Sequence, residues 1–158
     1  MTSGSTWKKA MAREQLDKRL KKYQWLRDFE IPPKGWIKAL RFALGMNGNH
    51  LAIRLGVSKQ NISQIENGEL EGSVSLKMMR RIGEALDCRF VYGFIPNSTL
   101  EETVRNRAEH VAWAKLERVN QSMRLEAQDI SEKDVQRAWK LLVSKLLIEM
   151  PSNLWDGD

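Results

Sequence analysis

Four side chains able to read hydrogen-bond patterns crowd one short stretch: Lys59, Gln60, Asn61 and Gln64. Their chemistry is recognition, not bond-making. A Gln or Asn amide donates and accepts at once, which suits adenine, and a Lys ammonium suits guanine or a phosphate. Ile62 and Ile65 fall at spacings that turn them to the opposite helix face. An outer face of Lys, Gln, Asn and Gln is unusual for a generic surface helix and fits base edges in a major groove. A helical hairpin that binds no DNA is the bland alternative. Catalysis finds less support. Cys88 is the single cysteine, and His50 and His110 stand far apart. No nucleophile–base pair, zinc spacing or phosphate loop appears. The expectation is a protein that is not an enzyme and needs no cofactor and no metal.

Those side chains need a frame, and residues 35–86 supply a pattern for one. Trp36, Ile37, Leu40 and Leu44 form a helical stripe that Gly45, Asn47 and Gly48 interrupt. Residues 50–55 read as a short helix. Ala52 lets a second helix cross closely, Gly56 permits a tight turn, and Val57 can plug the core. Ser58 is placed to cap a helix over 58–66, which Asn67 and Gly68 would close. Residues 69–74 read as a loop. Ser75 would cap a further helix carrying Leu76, Met79, Ile82 and Leu86. Residues 89–95, rich in β-formers and ended by Pro96, predict one short strand.

Helical segments flank this frame. Leu16, Leu20, Tyr23 and Leu26 recur at helical steps among Lys18, Arg19, Lys21 and Lys22, and Pro32 and Pro33 end that segment. Beyond the strand, Thr99 and Glu102 have capping-box spacing. Leu100, Val104, Ala108, Val111 and Met123 suggest a long amphipathic helix. Ser131 would cap a last helix striped by Val135, Ala138, Trp139, Leu142, Leu146 and Met150, before Pro151. The fold class is therefore all-α with one short strand at about 89–95. It divides into a basic N-terminal helical extension over 1–31, a core with the strand over 32–96, and a C-terminal helical region over 97–158.

Charge is distributed unevenly along the 158 residues, whose net is +6. Residues 1–27 carry eight basic groups against two acidic ones, and residues 34–95 nine against five. Residues 96–158 carry nine basic and eleven acidic groups. A polyanion would meet the first two-thirds of the chain. No apolar run approaches the roughly 18 residues of a membrane span, and no apolar stretch follows the basic N-terminus as in a secretory signal. A cytoplasmic protein with no membrane partner is the expectation.

The run LGVSKQNISQIENG (55–68), preceded by HLAIR and by RFALGMN (41–47), resembles the XRE, or phage-repressor-like, helix-turn-helix family. The resemblance implies that Lys59, Gln60, Asn61 and Gln64 read bases of double-stranded DNA. It implies that Asn47, Ser58 and Asn67 hold phosphates, and that Arg41 and Glu66 form a structural ion pair. Gly48 departs from the family, which often has a contacting Gln there; a backbone amide at a helix start could still hold phosphate. A narrower likeness rests on LDKRL (16–20), PPKGWIKAL (32–40), SLKMMRRIGEALDCRFVYGFIP (75–96) and LWD (154–156). These parts are similar to the mobile mystery protein A family. Its members lie beside a Fic-domain protein and are similar to antitoxins that repress their own operon. This implies a transcriptional repressor and antitoxin with a Fic-type toxin as partner.

One reading helix covers few base pairs, so such proteins pair to read two half-sites of a palindromic operator. A lone strand cannot satisfy its backbone. Pairing of the strand with its copy would make a homodimer through Phe90, Val91, Tyr92 and Phe94. The basic N-terminal segment would either follow the DNA backbone or dock through Leu16, Leu20 and Tyr23, and docking is favoured. A second function class is a toxin-neutralising module anchored by Trp139, Leu142, Leu146 and Trp155, residues that at helical spacing more often belong to a core. A third is an RNA- or coactivator-binding helix-turn-helix.

Overall fold

A computed structural model describes residues 3–125 and 131–157; of residues 3–5 and 123–125, Met123 among them, only the backbone is described. The described chain is helical throughout. Its α-helices are α1 (Ser3–Leu20), α2 (Trp36–Ala43), α3 (Gly48–Leu55), α4 (Lys59–Glu71), α5 (Leu76–Ala85), α6 (Leu100–Leu125) and α7 (Glu132–Glu149). Two 3-10 turns, Lys21–Asp28 and Ser152–Trp155, complete it. The chain forms two compact units. One is Arg27–Phe94; the other joins Met1–Leu26 with Ile95–Asp158.

The Arg27–Phe94 unit is built from short helices, of which α4 and α5 are capped by the expected Ser58 and Ser75 and α3 by Asn47. Asn47 Oδ1 accepts from the His50 amide at 2.9 Å, and the Asn47 amide donates to His50 Nδ1 at 3.3 Å. Ser58 Oγ accepts from the Asn61 amide and Ser75 Oγ from the Met78 amide, each at 3.2 Å. Such caps satisfy amides that have no partner in a helix's first turn. The core is Ile37, Leu51, Ala52, Leu55, Ile62, Ile82 and Leu86, with Val57 and Ile65 partly buried against it. Arg81 donates from α5 to the Leu55 carbonyl at 2.9 Å, and Arg54 donates from α3 to the Ala85 carbonyl at 2.8 Å. Those bonds fasten α3 and α5 to each other at their ends.

Two expectations for this unit are corrected. The segment 89–95 is not a strand: it runs without regular structure from Cys88 to Pro96. A strand needs a ladder, and no other strand exists among the described residues to provide one. Aromatic packing holds part of the segment instead. Phe90 lies against Gly83 of α5, its ring stacks on Tyr92 with centroids 6.2 Å apart, and Arg80 sits 5.8 Å from the Tyr92 ring centre. The second correction concerns α4, which does not close at Asn67 and Gly68 but runs to Glu71 and ends at Gly72 (φ 73°). Gly68 is buried inside the helix. A Cβ there would meet Ser73 Oγ at 2.8 Å and Val74 Cγ2 at 3.1 Å, so glycine serves close packing rather than a left-handed turn.

In the other unit α6 and α7 bury Val104, Ala108, Ala112, Val143, Leu146 and Leu154. Ala108 and Ala112 lie one helical turn apart and are wholly buried, so α7 can approach α6 closely. Thr99 and Glu102 form the reciprocal capping box at 3.1 and 3.0 Å. Ser131 accepts from the Asp134 amide at 3.2 Å. The turn after Pro151 carries Leu154 into the core, and buried Arg107 donates to the carbonyls of Leu154 and Asp156 at 2.7 Å each. Helix α1 docks here with Leu20 partly buried, while Leu16, and Tyr23 in the following 3-10 turn, are half exposed. Asp17 accepts from the Leu100 and Glu101 amides at 2.8 and 3.2 Å, and Arg13 pairs with Glu101 at 2.9 Å. Among the described residues no buried side-chain nitrogen or oxygen lacks a partner.

Candidate nucleic-acid interface

Helix α4 has two unlike faces. Ile62 is buried and Ile65 half-buried against the core, while Lys59, Gln60, Asn61 and Gln64 are exposed. The buried pair fixes the rotation of the helix about its axis. The exposed four occupy its first turns, where side chains project furthest toward anything approaching the N-terminal end.

The starts of α3 and α4 meet. A Cβ on Gly48, the first residue of α3, would stand 3.8 Å from Lys59 Cγ and 4.0 Å from Ile62 Cγ2. Two helix N-termini with their partly positive amides therefore converge on one side of the unit, a setting that favours a phosphate. Asn47 and Ser58 are the two N-caps. Each uses its side-chain oxygen as an acceptor and keeps a donor, the Asn amide hydrogens or the Ser hydroxyl hydrogen. Asn67 is exposed in the later part of α4. The Gly48 position has open room at ordinary contact distance, so the departure from the usual side chain is not forced by crowding.

Arg41 and Glu66 face each other across α2 and α4. Arg41 Nε donates to Glu66 Oε1 at 2.7 Å and Nη2 to Oε2 at 3.3 Å. Arg41 Nη1 also donates to the Met46 carbonyl at 2.9 Å. Both side chains are largely buried, at 15% and 9% exposure. The fork of the guanidinium thus ties α4 to α2 and fixes the turn that leads into α3.

Residues 37–92 match the helix-turn-helix family model.

The likeness is to a family of DNA-binding regulatory domains of the XRE type, and it covers about a third of the chain. It spans α2 to α5 and the first residues of the extended segment, leaving α1, α6 and α7 outside. No curated protein and no solved structure gives a match to the chain. Among the described residues no helix is long and apolar enough to cross a membrane, and no three His, Cys, Asp or Glu side chains gather as metal ligands would.

One residue of the helix-turn-helix makes a connection that sequence reasoning missed. Glu69, in a stretch read as loop, lies on α4 and accepts from the Trp36 amide at 2.8 Å and the Ile37 amide at 3.0 Å. It caps α2, whose own N-cap Gly35 has no side chain to do so. The available signal was indirect: a helix opening on glycine needs a cap from elsewhere. Of the residues assigned to a dimer, Val91, Tyr92 and Phe94 are exposed at 75%, 62% and 89%, whereas Phe90 is half-buried on its own α5. Of the suggested toxin anchors, Leu146 is buried and Trp139 and Leu142 are half-buried in the α6–α7 core; Trp155 is half exposed.

Proposed function

We propose that the protein is a sequence-specific transcriptional regulator that represses by occupying an operator. The observation that carries this reading is the exposed Lys59, Gln60, Asn61 and Gln64 on a helix whose other face is locked by Ile62 and the Arg41–Glu66 pair. Such a face presents paired donors and acceptors to base edges, with Asn47, Gly48, Ser58 and Asn67 holding backbone phosphates. The functional species is a homodimer reading a palindrome. Val91, Tyr92 and Phe94 support this, since a monomer rarely leaves such a run of large apolar side chains in water. The likeness to the mobile mystery protein A family supports a narrower role: repressor of its own operon and antitoxin of a Fic-type toxin.

Selection of duplexes from a random pool, followed by footprinting upstream of the protein's own gene, tests the reading. The expected result is a palindromic consensus with half-sites about 34 Å or a multiple of it apart. The Gln60→Ala/Gln64→Ala variant is expected to lose the consensus while melting at the parent's temperature. A variant that selects the same sequence as the parent refutes the assignment. Light scattering at micromolar concentration is expected to give a dimer, and Phe94→Ser a monomer. Co-purification with the product of the adjacent gene tests the antitoxin role, and its failure removes that role alone.

A further inference from the structure

The reading helix is held at a second point besides the Arg41–Glu66 pair. Glu69 lies on α4 one turn beyond Glu66, and its two carboxylate oxygens take the first two amides of α2 at 2.8 and 3.0 Å. Glu66 takes the guanidinium of Arg41, near the other end of the same helix. Two acids three residues apart on α4 thus grip α2 at its start and toward its finish. With Ile62 in the core, the two grips fix the tilt of α4 against α2 at two points. Gly35 fits this arrangement. Its φ of 79° suits glycine, and a Cβ there would stand 2.6 Å from Glu69 Oε2. The backbone before α2 is shaped to admit the carboxylate.

On the reading that this domain recognises DNA sequence, we infer that Glu69 is a positioning residue for base readout. It sets the angle at which Lys59, Gln60, Asn61 and Gln64 leave the domain and does so through α2, without touching the nucleic acid. The extension of α4 past Gly68 exists to carry that carboxylate to α2.

The charge of Glu69 makes the inference testable. Removing an acid from a DNA-binding domain should, by electrostatics alone, tighten binding to every duplex. Loss of a positioning interaction should weaken operator binding and leave unrelated duplexes alone. The experiment compares Glu69→Gln with Glu71→Gln in the full chain. The second variant makes the same charge change at an exposed position in the last turn of α4. Affinity is measured for the selected operator and for a scrambled duplex, and amide proton shifts of Trp36 and Ile37 report the cap directly. Glu69→Gln is expected to lower the operator-to-scrambled ratio about tenfold, the scale of a hydrogen bond to a charged group, and to move the Trp36 and Ile37 signals. Glu71→Gln should do neither. If Glu69→Gln unfolds the domain, Glu69→Asp, which keeps the charge but shortens the reach, takes its place with the same expectation. A ratio equal to that of Glu71→Gln while the parent selects an operator overturns the inference alone. A parent that selects no sequence overturns the proposed function and this inference with it.

Discussion

The guanidinium of Arg41 serves three acceptors, two on Glu66 and the carbonyl of Met46. Replacing it by alanine leaves a largely buried carboxylate without its counter-charge and a carbonyl without its donor. Arg41→Ala should therefore cost about 3–5 kcal/mol, read as a lower thermal midpoint, while any folded fraction keeps its sequence preference. A midpoint equal to the parent's would show the pair to be ornamental. Gly68 offers a sharper test because two effects oppose. In an ordinary helix interior, alanine for glycine gains about 1 kcal/mol. Here the added carbon meets Ser73 Oγ at 2.8 Å and Val74 Cγ2 at 3.1 Å. Gly68→Ala should lower the urea midpoint, and the loss should shrink in a Ser73→Ala background, where the nearer obstacle is gone. A gain in stability would mean that the 73–74 turn yields freely.

At the level of elements, helix starts are where the chain spends its polar side chains. Asn47, Ser58, Ser75, Thr99 and Ser131 each cap the helix that follows, and all but Asn47, read as a break, were legible because a cap lies next to what it caps. The caps of α2 and α6 that come from afar were not legible. Glu69 reaches α2 from 33 residues away and Asp17 reaches α6 from 83, and no local pattern encodes such a meeting. The same limit explains the extended segment: β-branched and aromatic residues at 89–95 signal an affinity for packing, and Phe90 and Tyr92 satisfy it with α5 and Arg80 rather than with a ladder. Helix α4 itself was legible because Ile62 and Ile65 mark its inner face and leave the amides outside. Its length was not, since Asn67 and Gly68 look like a stop, while Glu69's bonds to α2 join residues far apart in sequence. Asp17→Ala should cost about 1 kcal/mol, as loss of a cap does, and should speed hydrogen exchange at the Leu100 and Glu101 amides. Unchanged protection at both would assign the docking of α1 to Arg13 alone.

Across the whole molecule, charge and chain order decide what the pieces can do together. Lys18, Arg19, Lys21 and Lys22 are all exposed, and Lys18 pairs with Glu14 at 2.6 Å. Replacing the four with glutamine should flatten the dependence of log affinity on log salt by about 0.9 for each phosphate no longer neutralised; an unchanged slope would assign these charges to solvent. The unit that joins Met1–Leu26 with Ile95–Asp158 also has a consequence for synthesis. The Arg27–Phe94 unit is continuous and can close on the ribosome as soon as it has emerged. Helix α1 is made before that unit yet must wait for Leu100 and Glu101 and finally for Glu149 and Met150, about 55 residues after the unit is complete. At about 5–20 residues per second, that interval lasts several seconds, during which the seat of α1 on α6 and α7 is incomplete. A newly made chain thus passes through a stage with a finished helix-turn-helix and an unseated N-terminus, the stage at which chaperones and proteases would meet it.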